Sequence, residues 1–460
     1  MSASESDKHI LEELAFAGEI SVNGETALIT FRVSAGADCR LLFDVDPVDA
    51  RTYLLAVRGQ SASGTSIEEF NLTGKSAGGD TITSQSVSAG ARGFNNDGHW
   101  ITLRSRASKI ARILDHPVDK PFLRLWFRSF KAFRNPVIET SLGRLAVQGA
   151  ATGVSSDHMS GSATLEALSS DPGADWFENA DNFLRHMHRG LALAHGGRLQ
   201  TPRLDYVHGR TWEATFFAGA GFTAELPVHH HLNQGPFIKA LAERYQRAGP
   251  LPDMLWTALG WMQTDTTFDE TRFLTAMTAL EAIIESQLPA RHGTIIPKAD
   301  FKPLRRKLET LIAADDSLPE EAKRIFLSKI AALNQKVFAR KIHALFDHYN
   351  IPRQDFGGDV IRQLVNLRNN IVHRGAAPDD PDIWPCIILV RELITRILLK
   401  EIGFIGRYCC YVGGLNDREF PGELGPAYFR RGRMHFEFGR GLNGNATPRS
   451  RSGRLPSISR

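Results

Sequence analysis

Arg368 and His373 stand five residues apart in "NLRNNIVHRG" (366–375) and bring an anion-binding fork and a proton-transfer group to one short segment. A guanidinium offers planar donors to two oxygens of a carboxylate or phosphate and keeps its charge at any ordinary pH. An imidazole titrates near neutrality and can act as acid or base. Their setting is unusual. At about 100° per residue, Ile361, Leu364, Val365, Ile371 and Val372 all fall within about 60° of Arg368. The spacing therefore predicts a guanidinium in the middle of the most apolar helical face, with His373 just before Gly375, a helix stop. A matching acid lies upstream: Glu281 shares a helical stripe with Leu274, Met277 and Ile284. Inward charges persist when paired, so Glu281 and Arg368 are expected to meet and leave some guanidinium donors free. A register-fixing ion pair would account for those two residues but gives His373 no task.

Other polar clusters point to less. His229, His230 and His231 invite a metal reading, but neighbours in an extended segment face alternate sides and do not converge on one ion, so an exposed loop is expected. His186 and His188 are two apart on a helix and do not share a face. The four cysteines, with Cys409 and Cys410 adjacent, match neither zinc spacing nor a disulfide framework. No metal and no cofactor is expected.

The elements that must position Arg368 come late in the chain. Residues 1–165 read as strands and turns: "EISVNGETALITFRV" is a hairpin about Asn23-Gly24, and "RTYLLAVRG", "HWITLRS", "PFLRLWFRSF" and "GRLAVQGA" continue the alternation. That texture fits a β-sandwich or barrel. Residues 166–264 are mixed, with a helix over "DWFENADNFLRHMHRGLALAHGG" and a hairpin turning at His208-Gly209, and could belong to the first domain. Residues 265–405 turn helical. A capping box, Thr267 to Glu270, opens the first helix, and another, Ser317 to Glu320, precedes a stretch that forms one long helix or two. Asp380 and Pro381 are placed to cap and start the last helix. Four to six helices with short connections make an up-and-down bundle. The fold class expected is α+β multidomain, a β-rich N-terminal region followed by an all-α bundle.

Residues 417–460 are expected to be a disordered tail rich in Arg and Gly. From 430 to 460 there are eight arginines and one acid, Glu437, a local net of +7, so the rest of the chain sums to −3 against the overall +4. Such a tail suits a loose electrostatic arm for RNA phosphates or a solvated end without a partner. Hydrophobic content of 42% and charge of 23% describe a globular protein of two or three domains. The polar start "MSASESDKHI" and the shortness of runs such as "CIILV" argue against a signal peptide and against a membrane span, which needs about 18 apolar residues. Cysteine usage points to the cytoplasm.

Arg368, Asn369 and His373 match the Arg-polar-x-x-x-His motif of HEPN domains, and the wider region, with "TRFLTAMTALEAIIES" opening the bundle and "LRNNIVHRG" ending a later helix, resembles the Apea-like HEPN group. The resemblance covers roughly residues 265–405. It implies a metal-independent endoribonuclease. RNA carries its own nucleophile, the ribose 2′-OH, so the enzyme need supply only a base, an acid and a cation for the pentacoordinate phosphate. His373 would move a proton, Arg368 would hold the phosphate, and Asn369 would position either, with Glu281 orienting the guanidinium. The products would be a 2′,3′-cyclic phosphate and a 5′-hydroxyl. One histidine per chain leaves one proton role empty, and a homodimer pairing two motifs through the bundle would fill it. Arg305, Arg306, Lys307 and Arg374 would line the RNA cleft, although surface basic residues need no such role. The resemblance further implies antiviral defence by abortive infection, in which a phage-derived trigger sensed by the N-terminal region releases a toxin that cleaves RNA, transfer RNA being a plausible target. Two rivals remain: a non-catalytic HEPN protein that binds RNA or a partner, and a ligand-binding β-sandwich using Trp100 and Trp126 with the helices as a dimerisation module.

Overall fold

Alternating apolar residues build the first half of the chain into strands. The computed structural model describes residues 14–422, apart from 23, 36–40, 49–51, 54–69, 97, 134–135, 151–158, 219–225, 265, 267, 376 and 378–381. β1 (Leu14–Val22) and β2 (Glu25–Ala35) form the expected hairpin, with Gly24 at φ 83°, where only glycine sits without strain. β3 (Leu41–Val48), β4 (Phe70–Ser76), β5 (Thr81–Asn95) and β6 (Gly98–Ser105) follow. Their order is β4-β1-β2-β3-β6-β5, and β5 pairs back onto β4, so the six close into a barrel without free edges. Gly18 and Gly74 face each other where β1 crosses β4: a Cβ on Gly18 would lie 1.9 Å from the Thr73 carbonyl oxygen, and one on Gly74 2.7 Å from the Phe31 ring. Phe16, Phe31, Phe43 and Phe70 fill the interior.

The sheet continues beyond the barrel through β7 (Ala107–Ile113), β13 (Thr211–Phe217), β12 (Arg203–His208), β8 (Phe122–Arg128), β11 (Met159–Glu166), β10 (Gly143–Gln148) and β9 (Val137–Thr140). The strands expected at "HWITLRS", "PFLRLWFRSF" and "GRLAVQGA" are β6, β8 and β10. "RTYLLAVRG" differs: Thr52 and Tyr53 are helical, and its other residues lie outside the described ones. Strand alternation splits the burial. Trp212, Ala214 and Phe216 face the barrel core, while Leu123, Leu125 and Phe127 face a second core shared with the helices.

That second core runs through α1 (Trp176–His195), α2 (Gly235–Ala248), α3 (Asp253–Met262), α4 (Asp269–Gln287), α7 (Phe338–Tyr349), α8 (Gly358–Arg374) and α9 (Trp384–Ile402). α1 buries the predicted face, Trp176, Ala180, Phe183, Leu184, Met187 and Leu191, and stops at Gly196 in the left-handed region. α4 is the hub, packing on α3, α7, α8 and α9. Residues 166–264 thus contribute to both layers, β12 and β13 to the sheet and α1 to α3 to the helical core. Between α4 and α7, α5 (Lys298–Ala313) and α6 (Glu320–Ile330) pair with each other and bury little beyond Phe301 and Ile330.

Several local expectations are resolved, and some are corrected. The 317–350 stretch is two helices, α6 and α7, because the chain tightens into a 3₁₀ turn at Ala331–Asn334. Ser317 does not cap α6; its hydroxyl donates to Asp315 at 2.5 Å, and Pro319 is the residue before the first turn. Thr267, Asp380 and Pro381, the other proposed caps, lie outside the described residues, as does the Arg-rich segment from 430 onward. β14 (Gly406–Cys410) pairs with β15 (Asn416–Phe420), so residues 417–420, assigned above to the tail, are a strand. Among the described residues no helix is long and apolar enough to cross a membrane.

Candidate functional site

α8 begins after Gly357 with Asp359 in its first turn and ends on Gly375, φ 75°, whose N–H donates to the Ile371 carbonyl. Its buried stripe is Ile361, Leu364, Leu367 and Ile371. This turns the helix away from the orientation expected from sequence: Leu367 goes in, Val372 is 49% exposed, and Arg368 lies at the edge of the buried face. A guanidinium there reaches the neighbouring helix while its plane stays open to solvent, which avoids full desolvation.

From that edge Arg368 Nη2 meets Glu281 Oε1 of α4 at 3.0 Å, with side-chain exposures of 31% and 33%. Arg368 Nη1 donates to the Asn369 side-chain oxygen at 3.3 Å. These two contacts leave Nε without a recorded partner among the described residues. The structure therefore brings Glu281, Arg368 and Asn369 together. It does not set His373 beside them. Five residues along a helix are about 140° of rotation, so His373 projects toward the opposite side of α8 and is exposed in the last turn, next to exposed Arg374.

The other proposed RNA-contacting residues lie on a different element. Arg305, Arg306 and Lys307 are exposed on α5, whose main neighbours are α6 and the 331–334 turn, and Arg305 pairs with Glu309 at 2.7 Å. One basic residue, in the "ARK" run (339–341) that sequence reasoning also offered for the cleft, sits closer, but its acidic partner was missed. Lys341 of α7 meets Glu285 at 2.5 Å, one turn along α4 from Glu281. Two acids of one helical stripe thus each hold a cation from a different helix. The i, i+4 spacing of Glu281 and Glu285 was the available signal.

Also missed was a buried charge network on α9. Arg396, 1% exposed, donates from Nε to Glu392 at 2.7 Å and from Nη1 to the Pro352 carbonyl at 2.9 Å, and it also pairs with Asp355. The Tyr408 hydroxyl donates to the same Glu392 at 2.6 Å, and Arg418 joins Asp355. Burial alone would lower the Arg396 pKa, but Glu392, Tyr408 and Asp355 outweigh it and raise it. The cluster ties α9, the 352–355 loop and the β14–β15 hairpin together.

The histidines divide the same way. His229, expected in an exposed loop, is buried between Phe237 and Phe404, and burial lowers its pKa to about 4. His186 and His188 are each bonded through Nε2 to carbonyl oxygens of Leu241 and Leu199. Among the described residues no three His, Cys, Asp or Glu side chains gather as a metal site. Trp126, weighed above as a ligand platform, donates to Asp205 at 2.7 Å and stacks on the buried Arg203.

Residues 274–405 match the family described as Apea-like HEPN, a span that runs from the first turns of α4 to just past α9 and contains Glu281, Arg368, Asn369 and His373. The match supports a nuclease or RNA-binding role in general. Comparison with curated proteins and with solved structures gives no match to the chain.

Proposed function

We propose, from the premise that residues 274–405 form an Apea-like HEPN domain, that the protein is a metal-independent endoribonuclease whose working site is assembled from two copies of α8. One observation carries the reading: Arg368 is anchored by Glu281 at the bundle surface, with donors left for a phosphate, while His373 is exposed at the same helix end. Because these side chains leave α8 about 140° apart, a single copy does not enclose a phosphodiester easily. Two copies related by a two-fold axis would place the arginine of one opposite the histidine of the other.

In such a site one His373 takes the proton from the ribose 2′-OH, and the 2′-oxygen attacks phosphorus. Arg368 holds the non-bridging oxygens as charge builds, and the second His373 gives a proton to the departing 5′-oxygen. Asn369, bonded to Arg368, holds the guanidinium plane. Arg374, beside His373, and Lys341, which meets Glu285 of α4, would hold flanking phosphates, and Arg305, Arg306 and Lys307 would extend the track along α5. We place this activity in the cytoplasm, in phage defence by abortive infection, with transfer RNA as a candidate target and the β-rich region as the part that gates it.

The test is purified protein with total RNA in a chelator. Cleavage should yield 2′,3′-cyclic phosphate ends, and Arg368→Ala and His373→Ala should each lower it roughly 10²–10⁴-fold. Activity that disappears with chelator, or survives both substitutions, would sink the proposal. The divergence of Arg368 and His373 on one helix also supports a second reading, a non-catalytic RNA-binding bundle. That reading expects bound but intact RNA in the same assay.

A further inference from the structure

Away from the Arg368 pair, α1, α3, the 198–201 segment and the end of β13 enclose a cleft of about 660 Å³. That lies within the range of small-molecule sites. It is lined largely by residues outside the 274–405 match, so the family assignment says nothing about it.

Its lining carries two guanidiniums, Arg189 and Arg198, beside one carboxylate, Asp253. Arg198 is exposed on the rim and makes no ion pair with a described residue. Arg189 lies over the Trp256 ring at 5.8 Å and reaches Asp253 only at 3.8 Å, where that carboxylate is almost wholly in solvent. Deeper in, Trp256 is 7% exposed, and neither its Nε1 nor the Gln263 amide nitrogen, both sealed from the cleft, has a hydrogen-bond partner among the described residues. Two of the lining acceptors are committed: Gln200 Oε1 takes Arg128 Nη1 at 3.0 Å, and the Leu199 carbonyl takes His188 Nε2 at 2.6 Å. Burial holds His188 below its ordinary pKa, so the ring adds no charge. Phe217, Leu199 and Leu259 supply an apolar side.

We propose that this cleft binds a phosphorylated small molecule of nucleotide size, its phosphate held by Arg189 and Arg198 and its body lying on the apolar wall beside Trp256. Two guanidiniums suit a phosphate better than a lone carboxylate. The volume leaves room for more than inorganic phosphate. The inference stands apart from the ribonuclease reading, since it uses none of Glu281, Arg368 or His373.

The experiment is calorimetric titration of the full chain with AMP, ADP, ATP, adenosine and inorganic phosphate, with melting curves in parallel. At least one nucleotide should bind saturably and raise the melting temperature, with adenosine and phosphate at least about tenfold weaker. Arg198→Ala should weaken that nucleotide by about tenfold or more without changing the melting of the free protein. Equal binding of adenosine, binding of inorganic phosphate alone, no binding by any probe, or binding indifferent to Arg198→Ala would each overturn the proposal. So would an RNA oligomer binding through Arg198 when no mononucleotide does.

Discussion

At the C-terminal half of α9, Arg396 has its three nitrogens occupied by Glu392, the Pro352 carbonyl and Asp355, while His229 packs nearby between Phe237 and Phe404. At the C-terminal half of α8, Arg368 holds one carboxylate and one amide oxygen at about one-third exposure, and His373 is exposed. The residue types are the same and their settings are opposite. A saturated guanidinium and a buried neutral imidazole can only hold the fold. A partly satisfied guanidinium and an exposed imidazole cost little to keep and remain available to a ligand. Degree of satisfaction, rather than residue type, separates scaffold from candidate chemistry in this bundle.

Replacing Arg396 tests the contrast most severely. Arg396→Ala leaves Glu392 and Asp355 buried without their main cation, so unfolding stability should fall by about 3–5 kcal/mol in denaturant titration. A loss under 1 kcal/mol would mean that the cluster relaxes into solvent. Acid should act next, through His229. Its folded pKa lies near 4, below the ordinary 6.5, so the unfolded chain binds the proton more readily. The resulting stability is complete above about pH 6.5 and is lost as pH falls toward 4, a contribution on the order of 3 kcal/mol. Melting temperatures recorded across that window should drop, and His229→Phe should flatten part of the drop. The smallest effect belongs to the exposed site: Arg368→Ala and Glu281→Gln should each change stability by about 1 kcal/mol or less, the range of a partly exposed pair. Destabilisation as large as that of Arg396→Ala would make Arg368 a structural residue and remove the basis for assigning it a phosphate.

Sequence and structure agree most closely where burial imposes a period. The β1–β2 hairpin, the face of α1 and the ends of α1 and α8 at Gly196 and Gly375 follow from alternation, helical spacing and glycine's access to positive φ. The pairing of Glu281 with Arg368 was legible too, because each interrupts an apolar stripe and an inward charge needs a partner. The depth of that pair was not. Val372 has the same angular claim on the core as Leu367, and only packing against α4 and α7 decides which goes in. The Arg396 network was less visible still, since Asp355, Tyr408 and Arg418 come from a loop and a hairpin with no periodic signal. The break between α6 and α7 and the strand at 416–420 run against local propensity, since Ala331, Ala332 and Leu333 favour helix and Asn416 and Asp417 disfavour strand, and tertiary contacts override it.

By itself the sequence determined the class of the molecule, a strand-rich half followed by a helical half, and the identity of the charged residues that interrupt its apolar faces. Hydrophobic periodicity is a local property and can be read without a fold. Tertiary structure alone decided that the strands close into a barrel and run on under the helices, and that one arginine is sealed while the other stays open. Those outcomes depend on which distant segments come to share a dielectric environment, and no window of neighbouring residues contains that information.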